Sequence, residues 1–243
     1  MSAVLTLDLG NQRAKLRRWL PDVSGWRLVN ALALEHAECL PQASEAFAAE
    51  RLLVSSVTNP GLEARWTHWA AGLGLVPVHP VPPLELRVRV PESVGLDRQW
   101  AAAGACLRSE SALVCDVGTA ITVDAAADGA FLGGTIGPGP RLVRDALHAH
   151  TAKLPAIELE PTSRALGGST EEALAAGIVL GLRGAAESLV ERLAEEAGFA
   201  PDVPVVLTGG ARRFLIEPEP FTRRELLVEP ELVHLGLLST LGS

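Results

Sequence analysis

The chain opens on an apolar run, Ala3-Val4-Leu5-Thr6-Leu7, that stops at Asp8-Leu9-Gly10-Asn11. Arg13 to Leu20 then alternates loosely up to Pro21-Asp22, so the start reads as a hairpin of two strands with Gly10-Asn11 as its turn. A third strand is predicted over Trp26–Val29 and a helix over Ala43–Glu50. Arg51–Ser56 is a continuous apolar strand running into small residues, and Asn59-Pro60 starts a helix that reaches about Ala71. Val76–Val78 makes a short strand, and a helix runs from Asp97 to about Arg108 after the turn at Pro91–Leu96. The second half repeats the opening: Ser111–Cys115 is apolar and leads into Asp116-Val117-Gly118-Thr119. Strands over Thr122–Ala125 and Phe131–Ile136 flank the turn Asp128-Gly129. Helices follow over Pro140–His150 and Thr170–Glu196, the second capped by Ser169 or Thr170 with Glu172 in its first turn. The strand Val203–Leu207 ends at Thr208-Gly209-Gly210, and one more strand and helix close the chain.

Each half thus begins with an apolar strand, an Asp-x-Gly turn and a second strand, at Asp8 and again at Asp116. This weak internal repeat predicts an α/β protein of two similar domains, 1–108 and 109–243. A chain of 243 residues with 48% apolar and 21% charged residues is large enough for that and too apolar for a disordered chain. The net charge of −8, with no cluster of Lys and Arg, argues against a nucleic-acid groove or a polybasic membrane patch. Three cysteines (Cys39, Cys106, Cys115) without paired spacing fit a reducing cytosol. No apolar run near the ~20 residues of a membrane span is expected, and no signal peptide, so the expected location is cytoplasmic.

The chemistry concentrates in three places. A carboxylate at a strand end followed by Gly sets a negative group beside backbone that a ligand can approach, which suits a nucleotide phosphate chain with Mg²⁺. The same turn is also an ordinary hairpin feature, and its repetition at Asp8 and Asp116 favours the functional reading. Gly95-Leu96-Asp97-Arg98 places an acid and a cation at a helix start, either a base beside an anion anchor or a capping Asp with a solvated neighbour. Gly133-Gly134-Thr135-Ile136-Gly137-Pro138-Gly139 is either an anion-facing loop or a tight strand-to-helix turn. No Walker-type or dinucleotide Gly motif occurs. His148 and His150, two apart, face different sides of a helix and make a poor metal pair. Gly177, Gly181 and Ala185 recur at every fourth position of the long helix, a small face expected to pack in the core, with a subunit contact as the alternative. Trp66 and Trp69 are expected in the core.

Taken in order, these pieces resemble the type III pantothenate kinases of the acetate and sugar kinase, Hsc70 and actin superfamily. The resemblance rests on Asp8–Lys15, Val54-Ser55-Ser56-Val57, Gly95–Arg98, Asp116–Thr122, Leu132–Gly139, Ser169–Ala173 with Gly177–Val179, and Thr208–Gly210. It implies two ribonuclease H-like, actin-like domains, each a mixed sheet flanked by helices, with the active site in the cleft between them. It further implies transfer of the γ-phosphoryl group of ATP to pantothenate, the first step of coenzyme A biosynthesis. On that resemblance Asp8, Leu9, Gly10, Asn11, Gln12, Arg13, Ala14 and Lys15 form the first phosphate loop, Asp8 facing Mg²⁺–ATP. Gly95, Leu96, Asp97 and Arg98 contact pantothenate, with Asp97 as general base and Arg98 paired to the substrate carboxylate. Asp116 is the ligand of a monovalent cation, K⁺ or NH₄⁺; Thr119 touches ATP, Thr170 touches the substrate, and the enzyme is a homodimer.

The chain departs from the family pattern at three points: Gln12 stands for a Thr, Leu96 for an Ala, and Val88 where a Tyr is usual, the chain having no Tyr at all. Two alternatives follow: a kinase of the same fold acting on another small hydroxy acid, or a non-catalytic homologue that binds nucleotide. Retention of Asp8, Asp97, Arg98 and Asp116 speaks for a catalyst.

Overall fold

A computed structural model describes residues 2–23, 25–41 and 45–242. In chain order the elements are β1 (Val4–Leu9), β2 (Arg13–Asp22), β3 (Gly25–Glu35), β4 (Arg51–Ser56), α1 (Pro60–Ala71), β5 (Pro77–Val78), β6 (Glu85–Leu86) and α2 (Leu96–Cys106). Then come β7 (Ser111–Val117), β8 (Ala120–Ala127), β9 (Ala130–Pro138), α3 (Pro140–His150), α4 (Thr170–Glu196), β10 (Val205–Thr208), α5 (Arg213–Ile216), β11 (Leu226–Val228) and α6 (Leu232–Leu238). Two compact units result, one of Met1–Glu85, Arg89–Arg108 and Glu231–Ser243, the other of Leu86–Val88 and Ser109–Pro230. Arg108 and Ser109 fall in different units, the last thirteen residues belong to the first unit and Leu86–Val88 to the second.

In the first unit the sheet order is β3-β2-β1-β4-β5, antiparallel from β3 to β1 and parallel from β1 through β4 to β5. Strand β1 is buried along its whole length, yet its two faces differ. Leu5, Leu7 and Leu9 join Leu16, Leu52, Val54, Trp66 and Trp69 in one apolar cluster, the side covered by α1. Helix α1 is started by Asn59, whose side chain accepts from the Leu62 N–H at 3.1 Å, with Pro60 in the first turn where its missing N–H costs nothing. The alternate positions, Thr6 and Asp8, face the other way and are polar although buried. Helices α2 and α6 cross at glycines: a Cβ on Gly104 would run into the Leu232 carbonyl, and one on Gly236 into that of Trp100. Only hydrogen at both positions lets the backbones approach so closely, which explains why the C-terminal helix returns to this unit. Strand β3 extends well beyond the expected Trp26–Val29, since pairing with β2 continues to Glu35. The helix expected over Ala43–Glu50 lies partly outside the described residues; the part described holds a single 3₁₀ turn, Glu45–Phe47.

In the second unit the sheet order is β11-β10-β7-β8-β9-β6, parallel from β11 to β7 and antiparallel from β7 to β9. Helix α4 packs Ile178, Val179, Leu182, Ala186, Val190 and Ala194 against Leu113, Cys115, Val123, Val205 and Leu207. Its start is a reciprocal box: Ser169 Oγ accepts from the Glu172 N–H at 3.2 Å while Glu172 Oε2 accepts from the Gly168 N–H at 2.7 Å. With 27 residues and a mean hydropathy of 1.5 over its most apolar window, α4 is long and apolar enough to cross a membrane, contrary to expectation. Its apolar residues serve instead to cover the sheet of this unit. The opposite face corrects a second expectation, because Gly177, Gly181, Gly184 and Ala185 are exposed rather than packed in the core.

Candidate functional site

In the first unit Asp8 lies at the carboxyl end of β1, flanked in register by Lys15 of β2 and Ser55 of β4. Ligands of α/β sheets gather at such strand ends. The carboxylate is only 4% exposed and meets Lys15 Nζ at 3.3 Å. Burial pushes its pKa above the ordinary value, outweighing the pull of Lys15; the charge of Asp97 raises it further, and Arg17 opposes. The turn beyond is closed by the Gly10 N–H donating to the Arg13 carbonyl at 3.0 Å, and His36 Nε2 lies 2.8 Å from the Gly10 carbonyl. Asn11, Gln12 and Arg13 are exposed, Arg13 pairing with Glu35 at 3.0 Å. Leu9 and Ala14 turn their side chains into the apolar cluster, so the loop offers a ligand only their backbone.

Asp97 stands in the first turn of α2, half-buried, with its Oδ1 accepting from the Arg98 N–H at 2.9 Å. Gly95 caps the helix without a side chain, and a Cβ there would come within 2.5 Å of Asp97 Oδ1. Asp97 is not the cap of α2, which is Gly95, although its carboxylate turns back on the helix start, and α2 holds it within electrostatic reach of Asp8. Leu96 is exposed and Arg98 half-buried on the same turn.

A buried polar column on the Asp8 face of the sheet was not foreseen. Trp19 Nε1 donates to Thr6 Oγ1 at 2.8 Å, and Thr6 Oγ1 lies 2.8 Å from His234 Nδ1 on α6. Arg17 Nε donates to Glu231 Oε2 at 2.6 Å. Burial holds the His234 pKa well below its usual value, with the charges of Arg17 and Lys15 adding to the effect, so the imidazole is neutral. The period-two pattern of β1 carried the signal, since Thr6 and Asp8 interrupt an otherwise leucine strand at alternate positions. Ser55, 1% exposed, shares this face, and among the described residues its Oγ has no hydrogen-bond partner.

In the second unit Asp116 lies at the carboxyl end of β7, between Thr122 of β8 and Thr208 of β10. Three turns meet beside it. The Gly118 N–H donates to Ala120 at 2.8 Å, the Gly139 N–H to Thr119 at 2.9 Å, and the Ala211 N–H to Val117 at 2.9 Å. Gly209 takes a left-handed φ of 94°, and a Cβ on it would collide with the Val117 backbone and Asp116 Oδ1. Thr119 is half-buried beside these turns, whereas Thr170 is exposed at the first position of α4. Burial raises the Cys115 thiol pKa strongly, with the charges of Asp116 and Asp124 adding, so this buried cysteine is unreactive. The Gly133–Gly139 run is the tight-turn alternative: β9 continues to Pro138 and Gly139 caps α3.

Among the described residues no three His, Cys, Asp or Glu side chains cluster as a metal site. Mg²⁺ carried by a nucleotide is held mainly by phosphate oxygens and water, and needs only one carboxylate from the protein. Asp8, buried and next to the unpartnered Ser55 hydroxyl, has the chemistry for that part. Asp116, pressed against the Gly209 backbone, offers a single carboxylate for a monovalent cation.

Two mixed sheets flanked by helices place the chain in the actin-like fold of the sugar kinases. A ROK family glucokinase from Streptomyces griseus superimposes with a TM-score of 0.52 at 13% identity, over 98% of either chain. A Baf family transcriptional activator from Campylobacter jejuni gives 0.60 at 20% identity, over 97% of this chain and 96% of its own. Sequence carries the assignment further. The family model of type III pantothenate kinase matches residues 4–192. The type III pantothenate kinase of Porphyromonas gingivalis strain ATCC 33277 is 32% identical over 98% of this chain and 97% of its own length. That of Rubrobacter xylanophilus is 36% identical over 78% of this chain and 74% of its own. The chain belongs to the type III pantothenate kinase family, and is therefore a kinase that uses ATP and a small-molecule acceptor.

Proposed function

We infer that the chain transfers the γ-phosphoryl group of ATP to the primary hydroxyl of pantothenate, giving 4′-phosphopantothenate and ADP at the head of coenzyme A biosynthesis. Family membership across nearly the whole chain supports the reaction. The observation that carries the site is Asp97, fixed on the first turn of α2 within electrostatic reach of the buried Asp8. In this reading Asp97 takes the proton of the acceptor hydroxyl as its oxygen bonds to the γ-phosphorus and the bond to ADP breaks. Arg98 pairs with the pantothenate carboxylate, and Gly95 and Leu96 shape the floor beside it. The loop Asp8–Lys15 binds phosphates through the backbone of Leu9, Gly10 and Ala14 and the side chains of Asn11, Gln12, Arg13 and Lys15. Asp8 holds Mg²⁺–ATP, directly or through a metal-bound water. In the second unit Thr119 contacts the nucleotide, Asp116 a K⁺ or NH₄⁺ ion, and Thr170 the acceptor. ATP bound with Mg²⁺ supplies the transferable phosphoryl group and partial neutralisation of its charge.

The enzyme acts as a homodimer through α4. Exposed Gly177, Gly181 and Gly184 have open space where a Cβ would stand, which allows close approach of a second copy. A cytoplasmic location fits the substrates and the reduced cysteines.

The test is ADP release measured with pantothenate and with other small hydroxy acids, in Mg²⁺ and either K⁺ or Na⁺. Turnover is expected with pantothenate and higher in K⁺. Release only with another alcohol, or with none, contradicts the reading.

A further inference from the structure

The Val54-Ser55-Ser56-Val57 segment has no part in the roles above, yet its first serine is placed where a ligand contact would be. Strands β1 and β4 run parallel with Asp8 opposite Ser55, so both side chains leave the same face at the carboxyl ends of neighbouring strands. Ser55 is 1% exposed and its hydroxyl finds no partner among the described residues. The polar groups around it are otherwise engaged: Asp8 with Lys15, and Thr6 with Trp19 and His234. A buried hydroxyl without a partner is destabilising, and alanine would fill the same space without that cost. Its presence beside the buried Asp8 carboxylate, on the same face of the sheet, marks a position that another polar group completes.

We propose that Ser55 is a positioning residue for the Mg²⁺–triphosphate, its hydroxyl donating to a phosphate oxygen or accepting from a metal-bound water next to Asp8. The proposal rests on the function inferred above. It differs from a packing role in sign: removal of the hydroxyl leaves the free protein as stable or more so, and weakens the nucleotide complex. Ser56 is the internal control. It sits opposite Leu9, on the leucine face of the same strand, and its buried hydroxyl is likewise without a partner among the described residues, so only the neighbouring Asp8 distinguishes Ser55 from it.

Calorimetric titration of the full-length wild type, Ser55→Ala and Ser56→Ala with a non-hydrolysable ATP analogue, with and without Mg²⁺, separates the cases, together with the melting temperature of each free protein. Ser55→Ala is expected to raise the Mg²⁺-dependent Kd about tenfold, as for a hydrogen bond to a charged group. Its free melting temperature should match or exceed wild type, and Ser56→Ala should bind like wild type. Wild-type affinity in Ser55→Ala, or weaker binding accompanied by a lower melting temperature, overturns the assignment of Ser55 while leaving the kinase reading intact. A wild type that binds no Mg²⁺–nucleotide overturns both.

Discussion

Asp8 carries a conflict between folding and function that can be measured. Its carboxylate is buried at a strand end, and although Lys15 lies 3.3 Å away, desolvation prevails and the folded pKa stands above 3.8. The linkage sign follows: the native state favours the protonated form, an advantage complete below pH 3.8 and lost as pH rises through the folded pKa. At neutral pH the ionised group therefore costs stability. Asp8→Asn is expected to melt higher than wild type at pH 7 without ligand, by ~2–4 °C if the relief is about 1 kcal/mol. The same variant should lose ~100-fold or more in turnover, the scale of losing one electrostatic stabiliser. Scanning calorimetry and an ADP-release assay check the two halves. A lower melting temperature would show that the Lys15 pair outweighs burial. At this scale the sequence was legible where an acid ends an apolar run, as at Asp8 and Asp116. The role of Ser55 stayed hidden because a hydroxyl inside a strand looks like any small strand residue until register shows which face it occupies.

Elements with explicit start signals were readable to the residue. Helix α3 begins at Pro140, and α4 begins after Ser169 with Glu172 answering the cap, both as expected. Strand β3 was underestimated because its half-exposed alternation gives little contrast, and only pairing with β2 extends it. The small face of α4 was misjudged for a related reason: glycine carries no hydrophobic label, so its spacing cannot tell a buried contact from an open one. The exposure of Gly181 makes the proposed subunit contact testable. Gly181→Leu places a side chain into open space on the isolated chain, and replaces the poorest non-proline helix former. Folding should be kept or improved while the dimer dissociates to monomer in sedimentation velocity at micromolar concentration. A variant that remains dimeric with wild-type affinity would move the interface elsewhere.

For the whole molecule, the repeated strand and Asp-x-Gly turn pointed to two α/β halves, and each half forms its own mixed sheet. The return of the C-terminal segment to the first unit was hidden, because it depends on partners far apart in sequence: Thr6 with His234, Gly104 with Leu232, and Trp100 with Gly236. That return braces α2, and α2 carries Asp97, so the far end of the chain helps to fix the proposed base. The family assignment makes the chain a kinase; the particular claim is that Asp97 takes the proton from pantothenate. Mass-spectrometric detection of 4′-phosphopantothenate made by wild type and by Asp97→Asn, each confirmed folded by its melting temperature, tests it most directly. The account predicts product from wild type and a loss of ~100-fold or more in kcat for the variant, in the range of general-base catalysis. Product formed by folded Asp97→Asn at the wild-type rate would contradict it.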